Sequence, residues 1–250
     1  GDFVIMGGYL AFSLFNVGVG PIAALPIVAV VMFGFGWICY LLIIKRVIDN
    51  DMFVSLLATF GLSLFLQQVM NLIYGPEVQT IDSKFPIATM FDSFVTVPMA
   101  KVVSLLLAAG FAAIIVVFMK KSRTGQAIRA TAQDARAARV LGINTDRIYA
   151  FTFSLNAAIC GVAGVLVSII WVLQPFYGIV YSLRTFAIVT AAGLGNLPAV
   201  IGVSFVLGWV EQYAGIIMGA EWQIAAAVMV LIGVLVWRQI QLRRQRQVVR

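Results

Sequence analysis

KKSRTGQAIRATAQDARAARVLGINTDR, residues 120–147, is the longest polar interval in a chain that is otherwise almost all membrane-grade hydrophobic sequence. Seven of the seventeen Lys and Arg residues lie in it (Lys120, Lys121, Arg123, Arg129, Arg136, Arg139 and Arg147), against two acids, Asp134 and Asp146. Most connections between elements run to about 4–6 residues, so an interval this long between two spans is more than a connector. Its pattern predicts one helix over residues 125–141. Thr124 is placed to cap the first turn, and Gly142 follows the last periodic residue as a stop. Arg129, Gln133 and Arg136, at i, i+4 and i+7, share one side, with Arg139 at its edge. Ile128, Thr131, Ala135 and Ala138 fall on other faces and are mostly small. Such a helix has a basic side and a smooth, alanine-lined side on which another protein can pack. Asn144 or Thr145 then caps a span that begins near Ile148.

Outside this interval the composition sets the solvent. The chain has 250 residues, 62% of them hydrophobic and 11% charged, with a mean hydropathy of +1.02. A soluble domain carries about 25% charged residues, so lipid must surround most of this surface. The expected fold class is all-α, a polytopic membrane helical bundle with short, discontinuous helices and a cytosolic coupling helix. The chain reads as one membrane domain over 1–250, with 120–147 as a loop inside it. Histidine is absent, which removes the commonest general base and metal ligand. Cys39 and Cys160 stand far apart in apolar segments and read as core packing rather than as a disulfide or a zinc pattern. No metal site is expected, and no signal-peptide pattern is present.

Taken in order, residues 3–16 form an apolar stretch too short for a full span of about 20 residues, interrupted by Gly7 and Gly8. Short, Gly-broken segments are typical of half-helices lining a transport pathway; the truncated end of an ordinary span is the other reading. Residues 21–44 and 52–74 are long enough to cross. Gln67 and Asn71 in the second are amides inside a span, which face other helices or a wet cavity rather than lipid. Residues 75–98 are loop-like, with alternation at 85–95 that suits a short hairpin or a surface helix. A span at about 99–119 leads into the polar interval, and another at 148–171 carries Asn156 near its start. Residues 179–193 are short again, contain Arg184 and Thr185, and end where Gly193 and Gly195 break the chain. Arg184 either snorkels to the interface, meets a substrate carboxylate, or pairs with Glu211. Spans at 197–215 and 221–238 precede a tail with five arginines. Gly7, Gly8, Gln67, Asn71, Asn156, Arg184, Thr185, Gly193 and Gly195 are therefore the candidate pathway residues. Acids are otherwise inconspicuous in the apolar segments.

Counting crossings from residues 45–51 as inside places 120–147 and the C-terminus inside as well, and 75–98 and 172–178 outside. Fourteen of the seventeen Lys and Arg residues then lie inside, the pattern expected of inner-membrane proteins. Orientation and attraction to anionic lipid account for the tail without nucleic acid.

The run RATAQDARAARVLGIN, followed by TDRIYAFTFSLNAAICGVAGVL, resembles the cytoplasmic loop and next span of LivH-type permeases, the membrane subunits of bacterial branched-chain amino-acid ABC importers. GDFVIMGGYLAF and, at 186–202, FAIVTAAGLGNLPAVIG are similar to further signatures of that family, in the expected order. The resemblance implies that the loop is an EAA-type coupling segment docking on an ATPase, and it implicates Gln133, Asp134, Ala137, Ala138 and Gly142, beside Arg129 and Arg136 of the basic face. It also implies a second, homologous permease subunit or another copy, two ABC ATPases, an extracytoplasmic solute-binding protein, and a place in the bacterial inner membrane. LivH-like proteins carry a further span before the point where this chain begins, so an N-terminal span is expected to be missing. Related permeases for urea and short-chain amides share these motifs, which leaves the substrate open between them and branched-chain or other hydrophobic amino acids.

No GxxxxGK[ST] phosphate loop, HExxH or nucleophile–base pair is present. The chain is thus expected to be no enzyme, to bind no cofactor, and to leave ATP and Mg²⁺ to partner subunits. An autonomous channel or secondary carrier would not need the docking helix, and a membrane-embedded enzyme would need titratable groups at bilayer depth.

Overall fold

In lipid a backbone can satisfy its polar groups only as a helix or a closed barrel, and the chain takes the first course. The computed structural model describes residues 1–48, 51–81, 87–90, 95–193, 195, 197–219 and 222–247. α1 (Asp2–Asn16) is followed by α2 (Pro21–Cys39), which passes through a π-helical turn (Tyr40–Ile44) into α3 (Lys45–Val47). α4 (Met52–Tyr74) comes next, then a two-stranded antiparallel hairpin of β1 (Ile87–Met90) and β2 (Val95–Pro98), in which Ala88 faces Val97. α5 (Met99–Lys121), α6 (Arg123–Gln133), α7 (Ala135–Val140), α8 (Thr145–Ile170), α9 (Gly178–Ala192), α10 (Leu197–Met218) and α11 (Trp222–Gln247) complete the order. The alternation at 85–95 thus belongs to the hairpin reading, although residues 82–86 and 91–94 lie outside the described residues, as does Arg250 of the basic tail.

Among the described residues five helices are long and apolar enough to cross a membrane: Pro21–Val47, Phe53–Tyr74, Met99–Lys121, Thr145–Ile170 and Pro198–Met218. α1 is shorter, as its sequence indicates, and only Ala225–Val234 of α11 is a sustained apolar stretch. Where the sequence suggests a span ending near residue 238, α11 runs on unbroken to Gln247. Leu, Arg and Gln are good helix formers and no Gly or Pro intervenes after Gly233.

The chain forms two compact units, Asp2–Tyr177 and Gly178–Arg250 with Gly1. In the first, α1, α2 and α8 pack around Ala11, Ala24, Val28, Met32, Val165 and Ile169, with Ile81 closing one end. Small residues set the spacing. A Cβ on Gly7 would lie 2.5 Å from the Gly161 Cα, and one on Gly164 would run into the Val4 carbonyl oxygen and the Gly8 nitrogen. One turn before Gly161 on the same face of α8, a Cβ on Gly36 would meet Ala157 at 2.6 Å. Lipid tails are as apolar as the side chains they would replace, so this close approach, rather than a hydrophobic drive, holds the helices together. Phe3 adds an edge-on contact with Phe153 at 6.0 Å between ring centroids. α8 consequently is the most buried of the five long helices. Two of its buried hydroxyls turn back on their own helix: Ser154 donates to the Ala150 carbonyl and Ser168 to that of Val165. At one end of this unit, Gln79 and Leu173 exchange backbone hydrogen bonds of 2.9 and 2.8 Å, so the segments after α4 and after α8 share a side.

In the second unit the polar event is an ion pair. Arg184 Nε on α9 lies 3.0 Å from Glu211 Oε1 on α10, with side chains 22% and 15% exposed. The contact is charge on charge, since neither atom completes a hydrogen bond of good geometry. The Arg184 guanidinium also sits 6.0 Å from the centre of the Tyr181 ring.

Two outcomes follow from this packing. Gly164→Ala forces backbone apart and should cost about 1–3 kcal/mol, visible as a lower midpoint of heat-induced aggregation in detergent. Gly161→Ala meets the movable Met32 side chain first and should lose less. For the ion pair, Arg184→Ala leaves Glu211 uncompensated and should destabilise by about 3–5 kcal/mol. Replacing both with Met and Gln should recover most of that loss in the same assay.

Candidate coupling loop and transmembrane polar sites

The polar loop is not one rod. α6 is capped by Ser122, whose Oγ accepts from the Gly125 nitrogen at 2.8 Å, rather than by Thr124. The helix then stops at Asp134, whose backbone is extended (φ −153°, ψ 103°). The physical cause is that Asp134 caps a second helix: its Oδ1 accepts from the Arg136 nitrogen at 2.8 Å and from that of Ala137 at 3.0 Å. The continuous helix expected over 125–141 is thus two helices meeting at a carboxylate hinge, and the i, i+4, i+7 register joining Arg129 to Arg136 does not carry through it. α7 ends as its glycine indicates. Gly142 has φ +84°, its nitrogen donates to the Arg139 carbonyl, and Ile143 reaches back to Ala138, both at 3.0 Å. This is the paired closure that a left-handed residue permits. Asn144 then caps α8 through the Arg147 nitrogen at 3.1 Å.

The loop is also fastened to its spans. A Cβ on Gly125 would meet the Met119 carbonyl at 2.6 Å, so α6 folds tightly against the end of α5. Arg139 Nε donates to the buried Thr145 hydroxyl at 2.6 Å, and its Nη2 lies 3.5 Å from Asp146. Arg129, Gln133, Asp134, Arg136, Ala137 and Gly142 are exposed. Ala138 is buried, so it packs the loop from within rather than lining an outer face. Sequence reasoning missed two neighbours: Val140 is 88% and Leu141 80% exposed. Two large apolar residues ending a polar helix were the available signal.

Of the pathway candidates in the first unit, Gly7 and Gly8 are packing residues against α8, as their missing side chains require. Asn156 is exposed on α8. Gln67 and Asn71 belong together, on a seam where α1 and α4 run side by side. Asp2, 8% exposed, accepts from Gln67 Nε2 at 2.9 Å through one carboxylate oxygen and from the Ser63 hydroxyl through the other. Further along, the Tyr9 and Tyr74 rings stack at 4.5 Å, and the Ser13 and Tyr74 hydroxyls lie 2.6 Å apart. The Tyr9 hydroxyl and Asn71 Oδ1 are buried without a partner. Asp2 and Glu211 correct the impression that the apolar segments hold no conspicuous acids. A lone acid in an apolar helix, with Tyr9 and Ser13 following at i+7 and i+11, was a readable sign.

In the second unit Arg184 is held by Glu211, and Thr185 returns its hydroxyl to the Tyr181 carbonyl at 2.8 Å. Gly193 (φ +84°) ends α9, and Gly195 (φ +88°) follows in the turn to α10. Gly193, Ala199, Val206 and Val230 help line a cleft of about 550 Å³ walled by Ala, Gly, Val and Leu alone, which suits aliphatic groups. Among the described residues no three His, Cys, Asp or Glu side chains gather in a metal-binding group.

Comparison with known proteins supplies the family. The match to the family described as branched-chain amino acid transport system / permease component covers residues 1–237. The high-affinity branched-chain amino acid transport system permease protein LivH of Escherichia coli K12 is 28% identical over 94% of this chain and 81% of its own length. BraD of Pseudomonas aeruginosa, named for the same kind of system, is 26% identical over 95% and 82%. The probable LivH permease of Methanocaldococcus jannaschii is 26% identical over 85% and 69%. No solved structure matches. These relatives carry the names of transport permeases, not of enzymes. With several helices able to cross a membrane and a match over nearly its whole length, the chain is a multi-pass membrane protein that belongs to the branched-chain amino acid transport permease family.

Proposed function

We propose that this chain is a membrane-spanning subunit of an ATP-binding-cassette importer, carrying branched-chain or other hydrophobic amino acids across the bacterial inner membrane. The force comes from two ATPase subunits, which bind the ATP and Mg²⁺ that this chain does not. A second, homologous permease completes the pore, and an extracytoplasmic solute-binding protein delivers the substrate.

The observation that carries this reading is the exposure of Val140 and Leu141. Exposed apolar side chains on the spans are covered by lipid, but these two stand on the polar loop between α5 and α8, where another protein can cover them. The exposed Arg129, Gln133, Asp134 and Arg136 of the same loop supply the polar part of the docking face, and Ala137 and Gly142 its small residues. The Gln79–Leu173 pairing supports the sidedness, because it joins the two segments that charge counting puts outside together. ATP binding draws the two ATPases together. The docked loop follows, and the spans exchange outward for inward access.

Val140→Asp with Leu141→Asp should abolish retention of the ATPases on affinity purification. Each apolar side chain contributes about 1.5–3 kcal/mol when buried, and hence a factor of ten or more in affinity. Asp134→Ala removes a cap worth about 1 kcal/mol, and Gly142→Val forces a left-handed residue at about 1–2 kcal/mol. Both should leave the ATPases bound while lowering substrate moved per ATP hydrolysed in proteoliposomes. Unchanged stoichiometry in both variants would show that the loop does not couple.

A further inference from the structure

We infer that the α1–α4 seam is a binding site for the charged end of a zwitterionic amino acid, with Asp2 receiving its ammonium group and the Tyr9 hydroxyl its carboxylate. The inference rests on the amino-acid reading above and assigns its substrate contact within this subunit.

Depth comes first. Ser63 is near the middle of the 22-residue span Phe53–Tyr74, about 15 Å from either end at 1.5 Å per residue. The Asp2 carboxylate that Ser63 and Gln67 hold therefore stands near mid-bilayer. An acid at that depth marks a functional site by default, because the charge is costly there without a partner. A carboxylate offers about four acceptor positions; here two neutral donors fill one on each oxygen, and no Lys or Arg among the described residues pairs with it. The site is short of a cation.

The second observation is independent. On the same seam the Tyr9 hydroxyl, on a residue 1% exposed, and Asn71 Oδ1 have no partner, whereas buried polar groups are almost always satisfied. Tyr9 follows Asp2 by two turns on the same side of α1, with its ring stacked on that of Tyr74. A partner that donates to Asp2 and Asn71 and accepts from Tyr9 would complete the seam. An ammonium beside a carboxylate does both; a cation alone or an anion alone does not. Gln67 and Ser63 aim the carboxylate.

Access requires α4 to part from α1, and its packing allows that. α4 buries Leu62, Leu66, Gln67 and Met70 but leaves Leu57, Phe60, Leu64, Phe65 and Leu72 exposed. Moving it breaks this seam together with its contacts to the turn Pro175–Tyr177 and to α3.

The test uses the whole transporter, with its ATPases, second permease and solute-binding protein, in proteoliposomes that take up L-leucine. Tyr9→Phe removes a hydroxyl that bonds nothing in the fold, so a purely structural seam predicts normal uptake. The site predicts that the rate at saturating leucine falls about five-fold or more, the worth of one hydrogen bond to a charged group. Asp2→Asn keeps the shape and should lose about ten-fold or more, with Asp2→Glu recovering part of the rate. Wild-type rates in Tyr9→Phe and Asp2→Asn, or a Glu variant as poor as the Asn one, would overturn the site. Should Asp2→Asn fail to assemble, Tyr9→Phe alone decides. If the wild-type transporter moves urea and not leucine, the amino-acid reading falls and this inference with it, an outcome distinct from leucine uptake that ignores both substitutions.

Discussion

Backbone against backbone between α1 and α8 is the contact on which the larger unit depends. Gly7, which abuts the Gly161 backbone, and Gly164 leave no room for a Cβ at the crossing, and in lipid such closeness replaces the hydrophobic drive that would bind helices in water. The contact also orients. At 100° per residue, Val4, Gly7, Gly8 and Ala11 share one side of α1, and Asp2, Tyr9 and Ser13 share the opposite one. Seating the first set on α8 turns the second toward α4. A short helix that cannot span the bilayer is thereby fixed deep in the unit, with its polar side directed along the seam.

Several polar groups elsewhere in the apolar segments are retired locally, although the Ser104 hydroxyl on α5 is buried without a partner. Ser154, Ser168, Thr152 and Thr185 bond carbonyls in their own helices, and Arg184 and Glu211 cancel each other. Against that background the open valences of Asp2, Tyr9 and Asn71 stand apart, because neighbouring side chains had the means to fill them and do not. The cleft by Gly193 is the complementary case, apolar throughout, with shape but no charge to offer.

Spans and breaks were legible in the residues because each has a direct chemical sign: apolar runs of sufficient length, Gly193 and Gly195 at a left-handed turn, Gly142 at a helix end. The short first helix was visible for the same reason. Partnership was not legible. Gly7 and Gly8 look alike whether they line a path or meet another backbone, and only the position of Gly161 and Gly164 distinguishes the two. Asp134 deceived differently. Helical periodicity runs smoothly through it, and nothing in spacing alone says whether an Asp sits inside a helix or caps the next one. The competition is local, between its side chain and the backbone nitrogens two and three residues on. Arg184 had three plausible fates, and the choice of Glu211 depended on a helix 27 positions away.

The hinge at Asp134 changes how force should travel. A single rod would carry a push along its axis, but α6 and α7 are interrupted by the extended backbone of Asp134 and are welded separately, α6 to α5 at Gly125 and α7 to α8 through Arg139, Thr145 and Asp146. Between α7 and α8 only the closure at Gly142 and the Asn144 cap intervene, and both are hydrogen-bonded. Displacement at Val140 and Leu141 therefore reaches α8 with little slack, and α8 is the helix whose glycines hold α1. The chain of rigid contacts runs from the docking patch through α8 to the very helix that carries Asp2 and Tyr9. Coupling by this route needs no long lever. It needs α8 to shift against α4, the one neighbour of α1 that it does not clamp.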